Sequence, residues 1–96
     1  MKPELIQTLH PQIGKTNKKI SVDKYTFIKE HLLAILSEFE LTHSELMEAL
    51  FSRVKDEFEG GVQWYGEVVK LDLEARNLVE RTKTSPQKYK LVAVSS

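Results

Sequence analysis

Cysteine is absent from this 96-residue chain. That absence removes disulfides, thiolate zinc sites, iron–sulfur clusters and cysteine nucleophiles together. No apolar run approaches the roughly 20 residues that a membrane-crossing helix needs, so no membrane partner is expected. The opening Met1-Lys2-Pro3-Glu4 has no apolar segment behind its charge, which predicts no secretory signal and a cytoplasmic protein. Compact catalytic motifs are missing as well: there is no GxSxG, P-loop, GxGxxG or HExxH. His10, His31 and His43 lack partners at a strong metal-ligand spacing, so neither a metal nor a cofactor is expected. Gly60-Gly61 precedes a helical pattern, where an anion can sit, but Glu57 and Glu59 beside it repel phosphate. The expectation is a protein that is not an enzyme.

What is present reads as one globular fold. Hydrophobic residues make up 41% and charged residues 29%, which excludes a disordered or low-complexity chain. A chain this short supports a single core. Fourteen basic and fourteen acidic residues cancel, which argues against a uniformly basic nucleic-acid binder. Their placement is uneven. Residues 1–24 sum to +3, residues 25–80 to −7 and residues 81–96 to +4. Both ends are basic and the middle is acidic.

Hydrophobic spacing divides the chain into an N-terminal extended arm or hairpin (1–20) and a domain (21–96). In the arm, Leu5 to Leu9 is β-forming, His10-Pro11 blocks a helix and Gly14 to Lys19 is turn-rich. A second short strand at Lys19 to Val22 is placed to pair with the first. A first helix is predicted from Ser21 or Asp23 to about Phe39. Its main stripe is Tyr25, Ile28, Leu32, Ile35, Leu36 and Phe39, with a second patch at Phe27, His31 and Ala34. Such a helix is covered from two directions and is central. Thr42-His43-Ser44-Glu45 is a capping box that opens a second helix. That helix carries Leu46, Met47, Leu50, Phe51 and Val54 on one stripe, extended toward Phe58, and Gly60-Gly61 ends it.

A third helix is predicted from Val62 to about Arg76, with Asn77 as its C-cap. Two of its sides are apolar. Val62, Tyr65, Gly66, Val69 and Leu73 share one; Trp64, Val68, Leu71 and Ala75 share nearly the opposite one. Gln63, Glu67, Lys70 and Glu74 form a narrow polar face between them. From Leu78 the period changes to strand. Residues 78–82 and 88–92 flank a polar loop with a proline, which is a hairpin with a basic tip.

Helix, capped helix, longer helix and terminal hairpin follow one another in the winged helix-turn-helix order. The text Leu41-Thr42-His43-Ser44-Glu45-Leu46 resembles the start of the second helix in bacterial winged-helix transcriptional regulators. Leu71-Asp72-Leu73-Glu74-Ala75-Arg76 followed by Leu78-Val79-Glu80-Arg81 resembles their recognition-helix end and first wing strand, with Asn77 where glycine is usual. Tyr89-Lys90-Leu91 resembles the second wing strand. With Trp64-Tyr65, this text is most similar to a small family of uncharacterised bacterial winged-helix proteins. The likeness covers about residues 22–92. It implies an α+β winged helix, a three-helix core with a C-terminal β-hairpin wing, behind the N-terminal arm.

Two functions are compatible with that fold. The resemblance implies a DNA-binding protein related to transcription, a homodimer on double-stranded DNA. Its candidate contacts are Arg81, Lys83, Lys88 and Lys90 on the wing, Lys15, Lys18 and Lys19 in the arm, and Gln63 and Lys70 on the third helix. The alternative is a winged helix that binds protein, either a second copy or another chain, and does not bind DNA. The charge map favours it, because Glu67 and Glu74 oppose phosphates on the reading face. Candidate interface residues are Phe27, His31, Trp64, Val68 and Leu71. The Leu5-Ile6-Leu9 arm is expected to cover part of the Trp64 stripe, with a second subunit as the other candidate cover.

Overall fold

The computed structural model describes residues 4–92 apart from Ile13 and Thr16, so the outer ends of the arm and of the domain lie outside the described residues. In chain order the elements are β1 (Leu5–Gln7), β2 (Lys19–Ser21), α1 (Val22–Leu36), α2 (His43–Val54), α3 (Val62–Ala75), β3 (Val79–Arg81) and β4 (Tyr89–Leu91). The architecture is α+β: three helices with two small antiparallel sheets, β1–β2 and β3–β4. No helix among the described residues is long and apolar enough to cross a membrane.

The two arm strands pair as their composition suggested, with Ile6 opposite Ile20. Ser21 closes β2 and at once caps α1, its hydroxyl accepting the Lys24 N–H at 3.3 Å. Tyr25, Ile28, Leu32, Ile35 and Leu36 then face inward, and α1 packs on α2, α3 and both sheets. The central place expected for it is the observed one.

α1 ends three residues before the predicted Phe39. The N–H groups of Glu38 and Phe39 both turn back to the Ile35 carbonyl, and the Ser37 hydroxyl donates to the carbonyl of Ala34. That tightened turn swings Phe39 outward, leaving it 58% exposed and outside the core stripe. A second correction concerns Phe51, which is also exposed. At 100° per residue it lies about 40° beyond Met47, past the edge of the stripe that Leu46, Leu50 and Val54 fill.

The capping box of α2 is complete. Thr42 Oγ1 accepts the Glu45 N–H at 3.2 Å, and the Glu45 carboxylate accepts the Thr42 N–H at 3.0 Å. The backbone bond from Thr42 holds the Glu45 carboxyl below its ordinary range.

After α2, the Phe58 ring pins the connection to α3. It lies nearly parallel to Phe27, 5.8 Å between centroids, and meets Tyr65 edge-on at 5.1 Å. Arg53 Nε donates to His31 Nδ1 at 3.2 Å. The Phe27–His31 patch, a candidate interface, is thus partly covered by this chain's own Phe58 and Arg53.

α3 stops at Ala75, one residue short of the expected end, with Arg76 as cap and Asn77 just beyond it. Asn77 takes the left-handed conformation at φ 62°. Its N–H reaches the Glu74 carbonyl, and the Leu78 N–H returns to Leu73 at 2.9 Å, the paired bonds of a Schellman ending. The chain then enters the β3–β4 hairpin, in which Arg81 faces Tyr89. Tyr89 also bridges to Leu41: its N–H donates to the Leu41 carbonyl at 2.7 Å, and its carbonyl accepts the Leu41 N–H at 3.3 Å. The segment before α2 therefore joins the terminal sheet.

Candidate functional site

Three different coverings meet α3. Val62, Gly66, Val69 and Leu73 enter the core against α1 and α2. On a second side lies the arm. Asn17 Nδ2 donates to the carbonyls of Leu9 and Val68, each at 2.9 Å. Thr8 is buried, its hydroxyl donating to the Lys18 carbonyl at 2.5 Å. The arm does cover part of the second stripe, since Val68 is buried and Ala75 half-buried. On that side the bonds come from backbone and polar groups; of the arm's three named apolar residues Ile6 packs against the core, while Leu5 and Leu9 stay exposed.

The centre of that contact is Asp72, which sequence reasoning left without a role. Its carboxylate is fully buried and accepts from the Leu9 N–H at 2.8 Å, from the Tyr25 hydroxyl and from Arg76 Nε at 2.8 Å. Burial, together with the hydrogen bond to Asp72 and its charge, pushes the Tyr25 phenol up to about 12. The bond from Asp72 raises the Arg76 guanidinium further. The signal for Asp72 was available as a lone acid among the apolar residues of α3, far round the helix from Glu67, Lys70 and Glu74.

The third covering is the terminal hairpin, and it corrects the polar face. Lys70 is only 4% exposed. Its ammonium lies 2.9 Å from His43 Nδ1 and 4.0 Å from the centroid of the Tyr89 ring. Burial, then the charge of Lys70, lowers the His43 imidazole below its ordinary range. Glu74 is likewise taken up, receiving Arg81 Nε at 2.5 Å. Lys70 is therefore placed inside the fold and not on a reading face, because β4 lays its tyrosine over that side chain.

The remaining candidate cations divide by their partners. Arg81 is held by Glu74, and Lys90 lies 3.4 Å from Glu80 across the hairpin. Lys83 and Lys88 have no ion-pair partner among the described residues, nor do Lys15, Lys18 and Lys19 of the arm. The arm sits on the Val68–Asp72 side of α3 and the hairpin on the Lys70–Glu74 side. Between them α3 presents Gln63, Trp64, Glu67 and Leu71, with Trp64 48% exposed and no cation. The structure does not gather the nine candidate nucleic-acid residues on one face. No cluster of metal-ligating side chains occurs among the described residues.

No curated protein and no solved structure shows significant similarity to this chain. A family model does match, over residues 5–89, from the first arm strand through α1, α2 and α3 to the Tyr89 that clasps Leu41. The chain belongs to the family of unknown function DUF6958.

Proposed function

We propose that this chain is a non-enzymatic winged-helix domain that acts as a protein-interaction module through the outward face of α3. The fold reading rests on the order α1, α2, α3 and hairpin, and on the Leu41–Tyr89 bridge that ties the stretch before α2 to the wing. One observation carries the functional reading: Trp64 stands half exposed between Gln63, Glu67 and Leu71, while the only lysine of α3 is buried. Affinity for DNA comes largely from neutralising phosphates, and a face with a carboxylate and no cation works against it. A rigid aromatic beside an aliphatic side chain is the composition of a protein hot spot.

A second reading keeps DNA as partner, through Lys83 and Lys88 on the wing with Lys15, Lys18 and Lys19 in the arm. It is favoured by the absence of ion-pair partners for these five among the described residues.

Titration of random duplex DNA against salt separates the two. The protein reading expects no binding to titrate at physiological ionic strength. The DNA reading expects a steep fall with log salt, with Lys83→Ala and Lys88→Ala each lowering the slope by about one. In parallel, a photo-crosslinking residue at position 64 should yield a discrete protein adduct in cells, abolished by Leu71→Glu. Salt-dependent DNA binding with no adduct at position 64 would overturn the protein reading.

A further inference from the structure

The buried ammonium of Lys70 has a specific difficulty. It carries three donors and no acceptor, and it sits where water scarcely reaches. No carboxylate among the described residues lies within ion-pair distance of it. Its side-chain partners are the imidazole of His43, at 2.9 Å, and the face of Tyr89. An ammonium can donate to Nδ1 only while that nitrogen keeps its lone pair, so this contact requires a neutral imidazole with its proton on Nε2.

We propose that His43 is a proton-operated latch for the terminal hairpin: neutral, it holds Lys70 and the hairpin stacked on it, and protonated, it releases them. The geometry couples the two ends. Leu41, two residues before His43, grips the Tyr89 backbone through both bridge bonds. Lys70 lies over the ring of the same tyrosine, and the Arg81 guanidinium stands 5.5 Å from its centroid. Protonation turns Nδ1 into a donor facing a donor and sets two cations 2.9 Å apart, one of them the buried ammonium of Lys70. Because Lys70 stacks on the Tyr89 ring, its withdrawal from His43 removes the side-chain contact that holds β4 there, beside the backbone bonds to Leu41.

The carboxylates of Glu67 and Glu74 favour the protonated ring, but burial and the charge of Lys70 outweigh them, and Arg81 adds to the lowering. From α3, Glu67 faces solvent, and Glu74 is already engaged by Arg81 of β3. Tyr89, from β4, contributes a ring edge 6.5 Å away. On α2 itself, Glu48 lines a shallow hollow with His43, Ser44, Met47 and Gln63. Because burial and the charge of Lys70 lower the imidazole, the docked hairpin binds fewer protons than the released one. Docking is therefore complete above the ordinary histidine range, about 6.5, and is lost as pH falls through the lower value of the docked state.

This inference does not depend on which partner the α3 face meets, since both halves of the latch lie in one chain. It is tested on the full chain alone. NMR across about pH 4 to 8 would follow the His43 ring and the exchange protection of the Leu41 and Tyr89 amides. Protection of those two amides should drop about tenfold or more along the His43 titration, while Ile28 and Leu32 hold. His43→Gln, which retains an acceptor at every pH, should abolish the drop. Lys70→Met should move the His43 titration upward and also leave the hairpin closed. A His43 titration with unchanged protection at Tyr89 would overturn the latch, and that result needs no variant. An equal loss of protection in His43→Gln would overturn it too.

Discussion

The buried carboxylate of Asp72 accepts the backbone N–H of Leu9 at 2.8 Å, joining two residues 63 positions apart in the chain. The same carboxylate receives Tyr25 from α1 and Arg76 from the end of α3, so one side chain ties the arm to two helices. An ionised group so deep is tolerable only because its lone pairs are met by donors, one of them cationic. The arm is thus fastened rather than draped. The strand passes straight into the helix, since Ser21 ends β2 and caps α1 together.

Asp72→Asn tests that fastening with almost no change of volume. The amide still offers one oxygen, but its NH2 group must face at least one of the three donors. Loss of hydrogen bonds to a buried charge costs about 1.5–3 kcal/mol, and urea unfolding should show a loss of that size. Amide exchange at Leu9 should rise more than exchange in the α2 core. An unchanged midpoint would mean that the bonds to Asp72 add nothing to the fastening of the arm.

Tyr25 gives the same node a pH signature. Its hydroxyl is the proton donor to Asp72, and the folded state raises its pKa from the ordinary 10 to about 12. A raised pKa means that the folded chain keeps the proton more firmly than the unfolded one. The stabilisation is therefore whole below about pH 10 and is lost as pH climbs through about 12. Absorbance titration of tyrosinate should show one of the three tyrosines ionising late, and Tyr25→Phe should remove that step. A parent chain whose tyrosinate titration shows no late step that Tyr25→Phe removes would contradict the buried hydrogen bond.

Local chemistry was the legible part of this fold. Thr42 and Glu45 declare a helix start because both halves of the capping box lie within one turn. Asn77 declares a stop because few other residues enter the left-handed region without strain. The stripes of α1 and α2 read correctly at their centres and failed at their margins, at Phe39 and Phe51, where neighbouring packing decides. Burial of polar groups was not legible. Whether Lys70 faces water depends on where β4 places Tyr89, which is no periodicity in α3; for Asp72 the periodicity set it among apolar residues, but the donors that meet it come from the arm and from α1. At the candidate interaction face the sequence exposed the main point, an apolar stripe needing cover. It did not show that the arm would stop short of Trp64.

The close contact of α2 and α3 offers the sharpest test of the core. Gly66 lies in the middle of α3 without any turn or positive φ to require it, so its use there is steric. A Cβ at that position would meet Leu50 Cδ2 at 2.8 Å and Met47 Sδ at 2.9 Å. Two effects compete in Gly66→Ala. Alanine is the better helix former by about 0.5–1 kcal/mol, which favours the variant. Overpacking a filled core costs about 1–3 kcal/mol, and Leu50 is wholly buried, with Met47 nearly so and little space to move into. The second effect should win, giving a net loss of about 1 kcal/mol in urea unfolding. Combining Gly66→Ala with Met47→Ala should cost less than the two single losses added, because the shortened side chain makes room for the new methyl. Strict additivity of the two changes, or a Gly66→Ala chain more stable than the parent, would show that the helices are not this close.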